Sequence, residues 1–321
     1  MKFGKIHDQQ KLNQMSWQLP SADTVSQKFL ASLPKSSGMK LSVGAPAWNH
    51  KQWVGKVYPD KTPASQFLYF YSRYFNTIEL NTTHYRIPMP EQALKWCAQV
   101  PNTFLFCPKV FQGISHEKNG LLNADLLLAW YQFLESLQNY CGPCFLQLPP
   151  SFDYGCKAIL FKFLQNWPSQ FKLALEFRHP SWFENTNKSI IPALTQYLQT
   201  RGVGLVITDV AGRQDVLHNS ISADFVIVRF VGNELHPSDF ERATLWDQRL
   251  AQWKQQGLKH AVFLVHEPDD VLVPEITEHL LQLPFFKDHY QKIATDINTA
   301  PLVTDDQNLD FFSSIEDKSK L

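Results

Sequence analysis

Eight short apolar runs, each followed by a stretch of helical periodicity, predict an α/β chain folded as a (β/α)8 TIM barrel with an N-terminal extension and an acidic C-terminal tail. The runs are rich in Val, Ile, Leu and Phe without alternation, the composition of strands buried on both faces. A doubly wound open sheet would want a glycine-rich turn after its first strand, and PAWNHKQWVG stands there instead.

Residues 1–38 are polar and Gln-rich, with one amphipathic run at VSQKFLASL, and read as an extension packed on the domain. The barrel spans 39–288. Its strand runs are KLSVGAPAW (40–48), NTIELNTTHY (76–85), TFLFCPKVF (103–111), CFLQLPP (144–150), KLALEFRHP (172–180), GVGLVITDV (202–210), DFVIVRFVG (224–232) and HAVFLVHEP (260–268). Between them lie helical stretches such as LLNADLLLAWYQFLESLQ and SDFERATLWDQRLAQWKQQG. In the second, Ser238 can cap the start and Gly257 can stop the end. Residues 289–321 lose this pattern and read as the tail.

Thirty basic and thirty acidic side chains balance, so nothing favours a nucleic-acid partner. No apolar stretch approaches the ~18 residues of a membrane span, and the N-terminus has no signal-peptide core. Five scattered cysteines favour a reducing compartment over a disulfide framework, and cytoplasmic residence is expected. The tetrapeptide CGPC (141–144) spells a dithiol redox loop, but such a loop needs its first cysteine at a helix N-terminus. Here Cys141 follows a helix and Cys144 opens a strand, so the motif reads as a turn. A zinc site lacks a second nearby Cys/His pair.

A barrel gathers its chemistry at the C-terminal ends of its strands, and five or six of the eight are polar there. The first offers Trp48, Asn49 and His50. The second offers Glu79, Asn81, Thr83 and Tyr85, alternating so that one face carries all four. Lys109 ends the third, with His116 beyond it, and Gln147 ends the fourth. Glu176, Arg178 and His179 end the fifth, with Trp182 following. Asp209 closes the sixth, Arg229 lies in the seventh, and His266 and Glu267 close the eighth. His84, His218 and His279 read as surface or packing residues.

These segments resemble the DUF72 (YecE-like) family, whose function is unassigned and whose fold is a TIM barrel. The likeness is carried by GAPAWNHKQWVGKVYP, YFNTIELNTTHYRIP, FCPKVFQGISH, GPCFLQLPPSF, LALEFRHPSWF and ADFVIVRF, across roughly 40–270. The family's shared polar positions map onto Glu79, Asn81, Tyr85, Lys109, His116, Gln147, Glu176, Arg178, His179, Trp182, Asp209 and Arg229. The chain departs from the family pattern at GAPAW, at Val231-Gly232 after the seventh-strand arginine, and at LVHEPDD.

The catalytic candidates are therefore Glu79, Lys109, Glu176 and Asp209, and the substrate-binding candidates are Trp48, Asn81, Tyr85, His116, Gln147, Arg178, His179, Trp182 and Arg229. Glu79 and Glu176 could flank a substrate as acid and base, or as nucleophile. Lys109 could supply a proton, form a Schiff base if its pKa is depressed, or bind an anion. Arg178 and Arg229 suit a carboxylate or phosphate, and Trp48, Tyr85 and Trp182 would make a stacking wall for a sugar or base. The expectation is a cofactor-free, metal-independent hydrolase or lyase acting on a small anionic or sugar-like ligand. One alternative is a divalent-metal enzyme using Glu79, Glu176, Asp209 and His266. The others are a non-catalytic anion-binding protein and a purely structural network in which the charged groups hold the barrel mouth.

Overall fold

The computed structural model describes residues 4–21, 23–35, 38–184, 188–290 and 292. Each apolar run forms a strand: β1 (Lys40–Ala45), β2 (Thr77–Leu80), β3 (Leu105–Pro108), β4 (Cys144–Gln147), β5 (Leu173–Glu176), β6 (Gly204–Val210), β7 (Phe225–Val231) and β8 (His260–His266). All are parallel, in the order β3-β2-β1-β8-β7-β6-β5-β4. The two ends of that order meet through the bridges Phe106–Cys141 and Lys109–Phe145, and Val110 N–H donates to the Phe145 carbonyl at 3.0 Å, so the sheet nearly closes on itself. Parallel strands need crossovers, and the helices that supply them cover the outer face.

Alternation along the strands sends two sets of side chains in opposite directions. Cys107, Phe145, Ala174, Val206, Ile227, Val262 and Leu264 fill the barrel interior. The outward set packs against the helices, where Trp53, Trp96, Trp130, Trp182, Trp246 and Trp253 are fully buried. That sandwiching accounts for the high aromatic content, since each ring removes a large apolar area from water.

The second strand is shorter than its sequence suggests. It stops at Leu80, and Thr82–Tyr85 form a helical turn. Thr83 Oγ1 donates to the carbonyls of Leu80 and Lys109, both at 2.7 Å, which bends the chain across the third strand. Asn81, Thr83 and Tyr85 therefore do not continue the face that carries Glu79. In the helix Pro237–Gln256 it is His236, not Ser238, that caps: its Nδ1 accepts the Ser238 N–H at 3.2 Å, and proline occupies the first turn. Gly257 ends that helix at φ 110°.

The N-terminal extension docks on the barrel. Asn233 exchanges two hydrogen bonds of 3.0 Å with the Ile6 backbone, and Asp23 Oδ2 accepts from Ser220 at 2.9 Å. The acidic tail expected after residue 288 lies, from residue 293 on, outside the described residues.

CGPC connects the turn Gln138–Tyr140 to β4. Burial pushes the Cys107 thiol up to about 12 and raises Cys144 as well, the reverse of redox activation. Gly142 is present because the chain approaches β3 closely. Its N–H donates to the Phe106 carbonyl at 2.7 Å, and a Cβ there would stand 2.8 Å from that oxygen and 2.9 Å from Cys107 Sγ. Gly142→Ala is predicted to destabilise the protein by about 1–3 kcal/mol, read as a lowered urea midpoint, whereas Cys141→Ser shifts it little.

Candidate functional site

The site is the polar layer immediately above the apolar filling of the barrel. Lys109, Gln147, Glu176, Thr208, Arg229 and His266 each stand two residues beyond an interior side chain: Cys107, Phe145, Ala174, Val206, Ile227 and Leu264. A strand repeats its facing direction every second residue, so all six point inward. Glu79 pairs in register with Cys107 and joins them.

Arg229 is the hub and is 0% exposed. Its Nε and Nη2 donate to the two oxygens of Glu79 at 3.0 and 2.8 Å, and Nη1 donates to Glu176 at 3.1 and 3.3 Å. His266 Nε2 donates to Glu79 Oε2 at 2.7 Å. Arg178 Nε donates to Glu176 Oε1 at 3.1 Å, and its Nη2 to Gln147 Oε1 at 2.7 Å. Burial raises the Glu176 carboxyl, but Arg178, Arg229 and Lys109 outweigh it and hold the group down at about 2. Glu79 follows the same balance, with Arg229 and His266 holding it well below the ordinary carboxylate range.

Lys109 is placed differently. It is 7% exposed and, among the described residues, has neither a hydrogen bond to its amine nor a carboxylate within ion-pair distance. Burial and then the Arg229 charge lower its pKa to about 8, against the opposing pull of Glu176 and Glu79. Beside it are two imidazoles. His84 Nδ1 donates to the Val110 carbonyl at 3.0 Å, and burial followed by Lys109 lowers its pKa to about 3. The His116 ring stands 5.1 Å from His84, with Nδ1 2.7 Å from Ser115 Oγ, and is lowered by burial, Lys109 and Arg178. His116 also lines a cavity of about 360 Å³ with Ser151 and Phe152 from the loop after β4.

The sequence candidates divide accordingly. Glu79, Lys109, Gln147, Glu176, Arg178 and Arg229 come together, with His116 at their edge. Asn81 is half-buried beyond β2, and Tyr85 is 52% exposed with its ring edge-on to His84. Asp209 leaves the set: Thr208 faces inward, so its neighbour faces outward and accepts from Arg242 Nη1 at 3.0 Å and Trp246 Nε1 at 2.8 Å. Trp48 and Trp182 are core residues, not a stacking wall. Trp48 packs edge-to-face on Trp96 at 5.6 Å, and Trp182 donates to the Phe152 carbonyl at 2.7 Å. His179 caps the turn Pro180–Trp182 by accepting the Ser181 N–H at 3.1 Å.

Sequence reading did not select Thr208, whose buried hydroxyl has no partner. It dismissed His84 as packing and weighed His266 only as a metal ligand. Their signal was positional, two residues past an interior side chain in Thr208 and His266. The metal set does not converge: Glu79 and Glu176 are turned onto Arg229 and Asp209 faces away. Among the described residues no three His, Cys, Asp or Glu side chains gather as metal ligands.

The depressed carboxyls tie stability to pH with a definite sign. Glu176 favours the folded state above its unfolded value near 4.5, and that contribution disappears as pH falls through about 2. Glu176→Gln is predicted to lower stability at pH 7 by about 3 kcal/mol and to flatten the acid loss between pH 4.5 and 2. Urea unfolding across that range checks both; equal stability at pH 7 would remove the network's structural role.

Comparison with known proteins identifies the family. Residues 42–287 match the family model described as "Protein of unknown function DUF72". The chain is 28% identical over 287 residues to UPF0759 protein YecE of Escherichia coli K12, covering 84% of this chain and 99% of that one. It is also 28% identical over 150 residues to UPF0759 protein YunF of Bacillus subtilis 168, covering 44% and 52%. Among solved structures, a DUF72 protein of Enterococcus faecalis V583 superposes with TM-score 0.65 at 18% identity, covering 80% of this chain and 98% of that one. One from Thermotoga maritima MSB8 superposes with TM-score 0.55 at 20% identity, covering 78% and 98%. With more than half its length matched by the family model and the barrel shared with solved members, the chain belongs to the DUF72 family.

Proposed function

We propose that the barrel mouth binds a small anionic molecule and performs metal-independent acid–base chemistry on it, of hydrolase or lyase type, with Lys109 as the proton-transferring group. The observation that carries this reading is the amine of Lys109, which ends a buried side chain and has no partner among the described residues. A cation on a largely buried side chain without a partner costs stability, so the fold alone gives no reason for it. Its pKa of about 8 suits a group that both takes and gives a proton near neutrality. Two carboxylates face two guanidinium groups and one amine, so protonation of Lys109 leaves one surplus positive charge at the mouth. Arg178, at the rim of the network, is the second group suited to a carboxylate or phosphate.

The two-carboxylate mechanism loses support, because both oxygens of Glu79 and of Glu176 are already engaged by arginine. A sugar-like ligand loses its support with the burial of Trp48 and Trp182. A non-catalytic anion-binding protein is the second reading, favoured by those same engaged carboxylates. All five cysteines are free. No helix among the described residues is long and apolar enough to cross a membrane.

Thermal unfolding with inorganic phosphate and with pyruvate tests the reading. Both ligands are predicted to raise the melting temperature at pH 7, and the effect should fade as pH passes about 8 and Lys109, facing Glu79, Glu176, Arg178, Arg229, His84 and His116, loses its charge. Lys109→Met is predicted to be more stable than the parent without ligand, by about 1 kcal/mol or ~2 °C, and to lose the response. An unchanged response in that variant would discard Lys109 as the anion-binding group.

A further inference from the structure

Resting on that reading of the site, we infer that Lys109 is a covalent-catalysis lysine whose amine condenses with an aldehyde or ketone on a small carboxylate- or phosphate-bearing substrate. A lysine meant only to neutralise Glu79 or Glu176 would contact them. Here both carboxylates are satisfied by Arg229, with Arg178 and His266 completing the set, and the amine is left over. Its backbone is held on three sides. Lys109 N–H donates to the Leu80 carbonyl at 3.3 Å, its own carbonyl accepts from Thr83 Oγ1 at 2.7 Å, and it bridges to Phe145 of β4. The side chain is thus aimed from a rigid strand end into the lumen, as a reacting group requires.

The surroundings favour the neutral, nucleophilic amine. Burial opposes its charge, and Arg229 and Arg178 repel it, the combination that activates an amine for attack on a carbonyl. In the condensation the amine lone pair forms a C–N bond to the carbonyl carbon. The C=O π pair moves to oxygen, which takes a proton as the nitrogen gives one up. The carbinolamine then loses its hydroxyl with one further proton, as water, leaving a protonated C=N linkage. Amine, carbonyl and one proton become iminium and water, with no change of oxidation state. His116, which lines a cavity with Ser151 and Phe152 and whose pKa the Lys109 charge lowers, is the imidazole suited to pass those protons, and Arg178 is the group suited to hold the substrate's anionic group.

Reductive trapping tests this. The protein is incubated at pH 7 with substoichiometric pyridoxal 5′-phosphate, and separately with glyoxylate, then reduced with sodium borohydride and mapped by peptide mass spectrometry. Lys109 should be labelled about tenfold faster than exposed lysines such as Lys51 and Lys61. Labelling should accelerate as pH rises through about 8, be slowed by inorganic phosphate, and disappear from that peptide in Lys109→Arg. Labelling spread evenly over surface lysines overturns the inference. If phosphate raises the melting temperature but no adduct forms on Lys109, the anion-binding reading stands and the covalent step falls. If neither occurs, both fall.

Discussion

The top of this barrel depends on one guanidinium. Arg229 enters from β7 and bonds β2 on one side and β5 on the other, through four hydrogen bonds between 2.8 and 3.3 Å. In the strand order β2 and β5 are separated by β1, β8, β7 and β6, so the ion cluster spans the lumen rather than joining neighbours. Desolvating three charges costs several kcal/mol each, and only near-complete hydrogen bonding offsets it. The planar fork of arginine meets that demand; a lysine in its place would offer one point charge to two carboxylates at different angles. His266 and Arg178 then extend the cluster to β8 and, through Gln147, to β4.

Once that cluster is complete, the chemistry available above it is constrained. The carboxylates are acceptors already in use, held ionised by their partners, and so poorly suited to exchanging protons near neutrality. The group the cluster leaves out is Lys109, to which the proposed function assigns the reactivity. Lys109 lies close enough to be repelled by Arg229 but has no carboxylate oxygen within ion-pair reach among the described residues, so under the proposed function an anion entering the mouth would favour its charged form. A rigid floor in which both carboxylates are paired, beneath an unpaired amine, divides structure from the proposed reactivity.

Much of the fold was legible because parallel strands buried on both faces leave a strong composition signal, and all eight were found. Their lengths were less so. The run 76–85 reads as one strand by composition, yet Thr83 diverts its hydroxyl to two carbonyls and a helical turn replaces the strand's second half. The candidate site was legible in residue type and obscured in direction. Thr208 and Asp209 both end β6, and only the phase set by Val206 decides that threonine faces the lumen and aspartate the helices. Trp48 and Trp182 were misread for a related reason: an aromatic near a strand end can roof a pocket or fill a core, and its composition is identical in both.

Asp209 also shows why clusters of charge cannot be assigned to function by their members alone. Outside the barrel, Arg242 binds Asp209 at 3.0 Å and Asp239 at 2.7 Å, an arginine between two carboxylates just as inside. Trp246 and the Val231 carbonyl add to it, Arg242 Nε is buried without a partner, and Trp17 of the N-terminal extension lies beneath the guanidinium at 5.3 Å. That outer cluster joins the helix Pro237–Gln256 to β6 and β7, and its acceptors and hub are sealed by protein. The inner cluster is likewise an arginine between two carboxylates, with Arg178 as a second guanidinium, and follows the same local stabilising logic. What separates them is a neighbouring cation that neither carboxylate receives: the outer cluster contains none, and the inner one has Lys109, so reactivity is assigned to the charge left over rather than to the charges that pair.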